Sequence, residues 1–417
     1  MLWRGNLAPP RGDLPRIDIA GMGEYIDSMR RIYLDHTATT PLDPRVMEVM
    51  HPYFSGTFGN ASSVHSFGRE AREALERARG TIAGLIGAEA GEIFFTSGGT
   101  ESDNLALCGV MAASGSRREI ITSPTEHHAV LETGRRLEEQ GAVLTMMPVD
   151  AQGVVDAEFL RARPGDGTAL VSIMHANNET GTIAPVADIA AVAHEKGALV
   201  HTDAVQSAGK IPLSVGDLGA DLLTLSAHKM YGPKGIGALY VRRGVALEPL
   251  LVGGGQERGR RPGTENVPLA VGFAEAFRLS IVGMAEESAR LRTLRDDLEQ
   301  EIRRLFPRVL VNGDPENRLP HILNISFGAE DYPLEGEMLV MGMDLEGVAV
   351  TSGSACTSGS LDPSHVILAM GRDAATARAT LRFSFGRWNT PDDVGETARR
   401  LKNVLDRMLG GPAHNSL

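Results

Sequence analysis

Leu222-Leu223-Thr224-Leu225, followed at once by Ser226-Ala227-His228-Lys229-Met230-Tyr231-Gly232-Pro233-Lys234-Gly235, is the stretch on which the reading of this chain turns. The apolar run reads as a short buried strand, and the small and polar residues after it as the loop at its carboxyl end. A lysine placed there has its reach fixed by a strand end. Partial burial can lower its pKa, and neighbouring Ser, His and Gly can hold an anion beside it, a setting that suits a nucleophilic amine. The plainer reading is a surface lysine in a Gly-rich turn. The flanking segments decide between the two.

Working outward from this stretch, short apolar runs alternate with amphipathic helical ones from Glu92 to Val241. Strands are expected at Ile93–Phe95, Glu119–Thr122, Val143–Met147, Leu170–Met174, Leu199–Thr202, Leu222–Leu225 and Gly237–Val241, with helices at Glu101–Met111, Ala129–Glu139 and Ala187–Lys196. Such alternation predicts a mostly parallel sheet with helices on both faces, whose active site collects at the carboxyl ends of the strands. Pro268 to Phe306 reads as a long polar helical connection. Ile322–Phe327, Met338–Met343, Val348–Thr351 and Leu381–Phe385 then suggest a smaller α/β domain.

The bulk properties narrow the class. A chain of 417 residues is long for one core and fits two domains. Its net charge of −12 argues against a nucleic-acid surface, and no apolar run approaches the roughly 20 residues of a membrane span. Two cysteines, Cys108 and Cys356, make no disulfide framework, so a reducing, cytoplasmic setting is expected. Residues 1–30 carry Pro9-Pro10, scattered charge and no period, and read as a flexible N-terminal extension or an over-long start rather than a targeting peptide.

Several strand ends bear residues with chemical use. Thr96-Ser97-Gly98-Gly99-Thr100-Glu101 joins a strand to a helix and reads either as a cap or as a phosphate cradle, with Gly99 allowing close approach and Thr100 adding a hydroxyl. Asp203 could pair with a protonated pyridine nitrogen and Gln206 with a phenolic oxygen, although an Asp after a strand is more often a cap or a metal ligand. No cluster of ligand spacing accompanies it, so no metal site is expected. His127, in Glu126-His127-His128, could stack on an aromatic cofactor and pass protons. Asn178 lies in the turn Asn177-Asn178-Glu179-Thr180-Gly181. Cys356 sits in the small-residue loop Ser352 to Ser360, where a thiol is accessible, whereas Cys108 lies in an apolar helix and reads as core. Arg382 is a charge within an apolar strand, paired either internally or with a substrate carboxylate.

Taken together, these segments resemble the cysteine desulfurases of the fold-type I, class V aminotransferase superfamily, in particular those supplying iron–sulfur cluster assembly. The likeness runs from Ile32 to about Leu405. It rests on Tyr33 to Pro41, Phe58 to Ser63, Thr96 to Leu105, Thr125-Glu126-His127, His175 to Gly181, Asp203 to Gln206, Ser226 to Tyr240, Gly253 to Thr264 and Ser352 to Ser358. The resemblance implies a pyridoxal 5'-phosphate (PLP) enzyme with a mostly parallel seven-stranded sheet in a large domain (46–282) and a smaller α/β domain (31–45 and 283–417). It implies that Lys229 carries the cofactor, Asp203 and Gln206 contact its ring, and His127 stacks on it. Thr100 (beside Gly99), Ser226, His228 and, from the other subunit of a homodimer, Thr264 would hold the phosphate. Asn178 and Arg382 would bind the substrate carboxylate, and Cys356 would take the sulfur of L-cysteine as a persulfide, releasing alanine for an acceptor such as an iron–sulfur scaffold protein.

Rival readings are a selenocysteine lyase or an aminotransferase of the same fold, and a silent scaffold. An aminotransferase has no use for the Cys356 loop, and a scaffold none for Lys229, Asp203 and His127 together. The extension before Ile32 and a C-terminal end of Gly410-Gly411-Pro412-Ala413 depart from the family's pattern, leaving the sulfur acceptor open.

Overall fold

The computed structural model describes residues 30–163, 165, 167–334, 336–352 and 362–410. Residues 1–29 of the extension expected over 1–30, and Cys356 with residues 353–360 of its loop, lie outside the described residues.

The described residues open with β1 (Ile32–Tyr33), followed after two short helices at Pro44–Met50 and Pro52–Ser55 by α1 (Ser66–Ile86). Helix α1 forms because Ala71, Ala74, Leu75, Ala78, Ile82 and Ile86 recur at helical spacing on one buried face, and it stops at Gly87 in the left-handed region (φ 72°). There follow β2 (Ile93–Thr96), α2 (Gly99–Ala113), β3 (Glu119–Thr122), α3 (His128–Glu139), β4 (Val143–Met146), β5 (Thr168–Ser172), α4 (Val186–Glu195), β6 (Leu199–Asp203), β7 (Leu222–Ser226) and β8 (Gly237–Val241). The seven strands β2 to β8 make one sheet of order β2-β8-β7-β6-β5-β3-β4. Strands β7, β6, β5, β3 and β4 pair in parallel, while β8 runs antiparallel between β2 and β7. β7 and β8 are buried throughout, as a sheet covered on both faces requires.

Two expectations shift in detail. The strand expected at Leu170–Met174 begins two residues earlier, leaving Ile173 and Met174 to lead into the site. The long helical run splits into α5 (Val267–Val282) and α6 (Met284–Leu305), bent by 72° at Gly283. Among the described residues no single helix is long and apolar enough to cross a membrane.

A second core forms around α6, β9 (Leu310–Asn312), β10 (Ile322–Ser326), α7 (Gly336–Leu345), β11 (Val348–Ala349), β12 (Thr380–Ser384) and α8 (Pro391–Met408). Strands β12, β10 and β9 make an antiparallel sheet, and β1 pairs in parallel with β11. Ile32 and Leu34 are buried in this core, so the segment leading from β1 toward the large sheet is anchored in the smaller one.

Candidate active site

The carboxyl ends of β5, β6 and β7 and the N-termini of α2 and α3 enclose a cavity of about 340 Å³. Gly99, Thr100, His127, Asn178, Asp203, Gln206, Ser226, His228 and Lys229 all line it, so nine residues scattered over 131 positions of sequence meet in one place. Gly99 is tightly packed: a Cβ there would sit 3.0 Å from Val205 Cγ2, so the valine would have to give way by a few tenths of an ångström. A Cβ on Gly237, in β8, would press within 2.8 Å of Gly98, so the turn before α2 also needs a bare neighbour.

Lys229 ends the turn after β7, and its Nζ donates to the carbonyls of Thr37 (2.5 Å) and Ala38 (2.7 Å). Gln206 Nε2 donates to the same Thr37 carbonyl, and His228 Nδ1 lies 3.1 Å from Thr39 Oγ1. Thr40 donates its N–H and hydroxyl to the His228 carbonyl. Residues 37–40 thus lie across the lysine turn, held on their other side through β1 by the smaller core. Just beyond, Tyr231 adopts φ 65°, rare for a residue with a side chain, with its N–H on Thr40 Oγ1. The strain lies two residues from the lysine, where functional sites commonly hold it.

Burial drives the electrostatics of the floor. It pushes the Asp203 carboxyl up to about 6, against the pull of the Val205 N–H and of Lys229. Asp103, on the second turn of α2, also faces the cavity; burial, then the charge of Asp203, drives its carboxyl well above the usual range. Of the two acids Asp203 is therefore the one ionised near neutral pH. Burial, then Lys229, lowers His127 to about 4, so its imidazole is neutral. Because Nδ1 accepts the N–H of Ala129 at 3.1 Å, the ring proton belongs on Nε2. His228 is likewise lowered to about 4, first by burial and then by Lys229.

These residues fit the cofactor that the sequence implies. Ser226 Oγ and Asn178 Oδ1 are buried and bond to nothing among the described residues, as polar atoms reserved for a ligand would be. The α2 N-terminus with Thr100 suits a phosphate, Asp203 a ring N–H, and the neutral His127 an aromatic face.

Other expected residues stand apart from this set. Arg382 is buried and already occupied: Nη1 donates to the Asn178 carbonyl and Nη2 to Asp35, each at 2.9 Å. Thr264 is exposed on the loop preceding α5 and does not line the cavity. Cys108 is half-buried at the margin of an apolar cluster rather than wholly inside it, and burial pushes its thiol up. The reading missed Asp103, Glu126 and Asp35. Asp103 had a signal: it shares the helical spacing of the buried Leu107 and Val110, an acid on an apolar face. Asp35 had none, since its partner lies 347 positions away.

Known proteins resemble this chain over most of its length. The family model for aminotransferase class-V matches residues 32–396. Cysteine desulfurase IscS of Dictyoglomus turgidum is 47% identical over 380 residues, covering 91% of this chain and 95% of that protein. Among solved structures, a NifS-like protein superposes with a TM-score of 0.84 at 39% identity, over 91% of this chain and all (100%) of that one. A structure described as SspA in complex with cysteine gives 0.73 at 36% identity, over 86% and 100%. With both its sequence and its fold matched over nearly their whole lengths, the chain belongs to the class-V aminotransferase family, within its cysteine desulfurases.

Proposed function

We propose that this chain binds pyridoxal 5'-phosphate on Lys229 and desulfurates L-cysteine, giving L-alanine and a persulfide on Cys356. The observation that supports this most is the convergence of Lys229, the ionised Asp203, the neutral His127 and the unpaired Ser226 and Asn178 atoms in one cavity.

When bound, the cofactor supplies an electron sink that loosens the α-proton and the carbon–sulfur bond of the amino acid. The chain's own residues do the rest. Gly99, Thr100, Ser226 and His228 hold the phosphate, with Thr264 of a second copy completing the shell in a homodimer. Asp203 keeps a proton on the ring nitrogen, Gln206 contacts the ring's oxygen and His127 covers its face. Arg382 and Asn178 take the substrate carboxylate; Arg382 has its Nε unpaired among the described residues and a carbonyl tie to Asn178 that keeps the two together.

On one side of the Cys356 segment Thr351 is bridged to Arg382, and on the other Ser364 donates to Glu179 at 2.5 Å while His365 Nε2 lies 3.0 Å from the Glu126 carbonyl. Both flanks therefore pack on immediate neighbours of the cavity residues Asn178 and His127. Cys356 follows Ser352 by four residues, at most about 14 Å of extended chain. Its thiolate forms the new S–S bond to the substrate sulfur, the carbon–sulfur electron pair stays with carbon, and a proton delivered by Lys229 completes alanine. The raised thiol of Cys108 makes it a poor rival. The persulfide then passes to a cytoplasmic acceptor, of which an iron–sulfur scaffold protein is the one we favour.

The test is Cys356→Ala in the purified holoenzyme. It should keep the visible cofactor band and respond spectrally to L-cysteine, yet form neither alanine nor a protein persulfide. Alanine formed at the wild-type rate, or persulfide mass found on Cys108, would refute the assignment.

A further inference from the structure

Arg79 and Glu257 form a buried ion pair that the proposed chemistry does not use. Arg79, on α1, is 3% exposed and Glu257, on the loop between β8 and α5, is 6% exposed. The guanidinium grips the carboxylate with two bonds, Nη1 to Oε2 at 2.7 Å and Nη2 to Oε1 at 2.8 Å. Arg79 Nη1 also donates to the Ile93 carbonyl, and Glu257 Oε2 accepts the N–H of Phe95, at 2.8 and 2.9 Å. Helix α1, strand β2 and the loop are thereby knotted at one point.

Backbone strain marks the same point. Glu257 and Arg258 are consecutive residues with side chains in the left-handed region, at φ 47° and 57°. Such a conformation persists only where surrounding contacts impose it. A second tie lies farther along: Arg261 Nε donates to Glu101 Oε1 at 2.8 Å, and Glu101 Oε2 accepts the N–H of Ser97 at 2.8 Å. The loop is thus fastened to the strand that delivers Gly99 and Thr100, and again to the turn holding them. Thr264 follows three residues after Arg261, exposed.

We propose that the Arg79–Glu257 pair is a positioning device for cofactor phosphates, fixing both the Gly99–Thr100 turn of this chain's own site and the Thr264 loop it offers to the site of a second copy. The inference rests on the reading of Thr264 as a phosphate ligand to a second copy. Neither residue touches the cavity, so both act only through the segments they hold.

The experiment separates phosphate positioning from general stability by comparing two probes on the apo form of the full chain: pyridoxal phosphate, and pyridoxal, which lacks the phosphate. With Glu257→Gln, the dissociation constant for pyridoxal phosphate should rise about tenfold, the factor a lost charge-assisted contact implies, while that for pyridoxal stays the same. Because Arg79 would then be buried without its partner, the paired change Arg79→Met with Glu257→Met is made alongside; it removes both charges and should show the same selective loss. Thr264→Val should show a loss of the same selectivity, and the two changes together should cost less than their separate losses multiplied. Equal weakening of both probes, or no weakening of either, would overturn the inference. Wild-type protein that ignores pyridoxal phosphate altogether would instead refute the functional reading itself.

Discussion

Two buried polar clusters, one on each core, look alike in composition and differ in bonding. Beside β10 in the smaller sheet, Asn312 Nδ2 donates to Asn324 Oδ1 and Ser326 Oγ, Ser326 shares a proton with Thr380 Oγ1, and Asn324 Nδ2 reaches the Glu179 carbonyl. There, among the described residues, only Asn312 Oδ1 is left over. At the carboxyl edge of the large sheet, Ser226 Oγ, Asn178 Oδ1, Asp103 Oδ1 and Glu126 Oε2 are equally buried and hydrogen-bond to nothing among the described residues. Leaving such atoms unbonded costs about 1–3 kcal/mol each. The paired cluster is scaffold, since its bonds are spent holding strands together. The unpaired one is consistent with atoms kept for a ligand that brings the missing partners.

Experiments that break this comparison rank by size. Lys229→Ala should abolish the visible cofactor band and alanine formation while leaving a folded chain; a variant that kept both would remove the central residue of the site. Arg382→Ala comes next. A lost charge-assisted contact should raise KM for L-cysteine about ten- to hundredfold, with little change in affinity for pyridoxal phosphate. An unchanged KM would place Arg382 with the scaffold, as a structural partner of Asp35.

The pH dependence of cofactor binding sharpens the role of Asp203. Its carboxyl lies at about 6 and must be ionised to hold a ring N–H. Affinity should therefore be flat above about pH 7, fall as pH drops through 6, and be about tenfold lower at pH 5. The cofactor phosphate titrates in the same region, so the decisive quantity is the difference between wild type and Asp203→Asn. The variant should bind more weakly at pH 8 and lose most of the slope. Profiles differing only by a constant factor would exclude titration of Asp203.

The smallest effects are also the most pointed. Ser226→Ala should weaken pyridoxal phosphate about tenfold while the apo protein melts no lower, because an unpaired hydroxyl is removed. Asn312→Ala should do the reverse, costing about 1–3 kcal/mol of stability with cofactor affinity intact. Calorimetry and absorbance titration read the two, and an exchange of the two results would end the distinction between scaffold and site.

Much of this was legible along the chain. Periodicity marked the strands of the large sheet, and the residues at their carboxyl ends drew attention as a set because parallel sheets bring such ends together. His127, Asp203, Gln206 and Lys229 were readable for that reason, each being fixed by a local strand end. The break between α5 and α6 was not, since Gly283 in a helical run is as compatible with a straight helix as with a bend. Nor did periodicity give the antiparallel direction of β8, because a strand buried on both faces looks the same in either direction.

By itself the sequence determined the order of elements, the apolar faces and the chemical inventory at each strand end, all of which depend on neighbours within a few residues. The tertiary structure alone decided which distant groups would meet. Arg79 finds Glu257 across 178 positions, Arg382 finds Asp35 across 347, and Lys229 meets the Thr37 carbonyl across 192. No local propensity encodes such pairs. They are selected when each core closes and the two meet, because every buried charge must find a partner or lose its solvation.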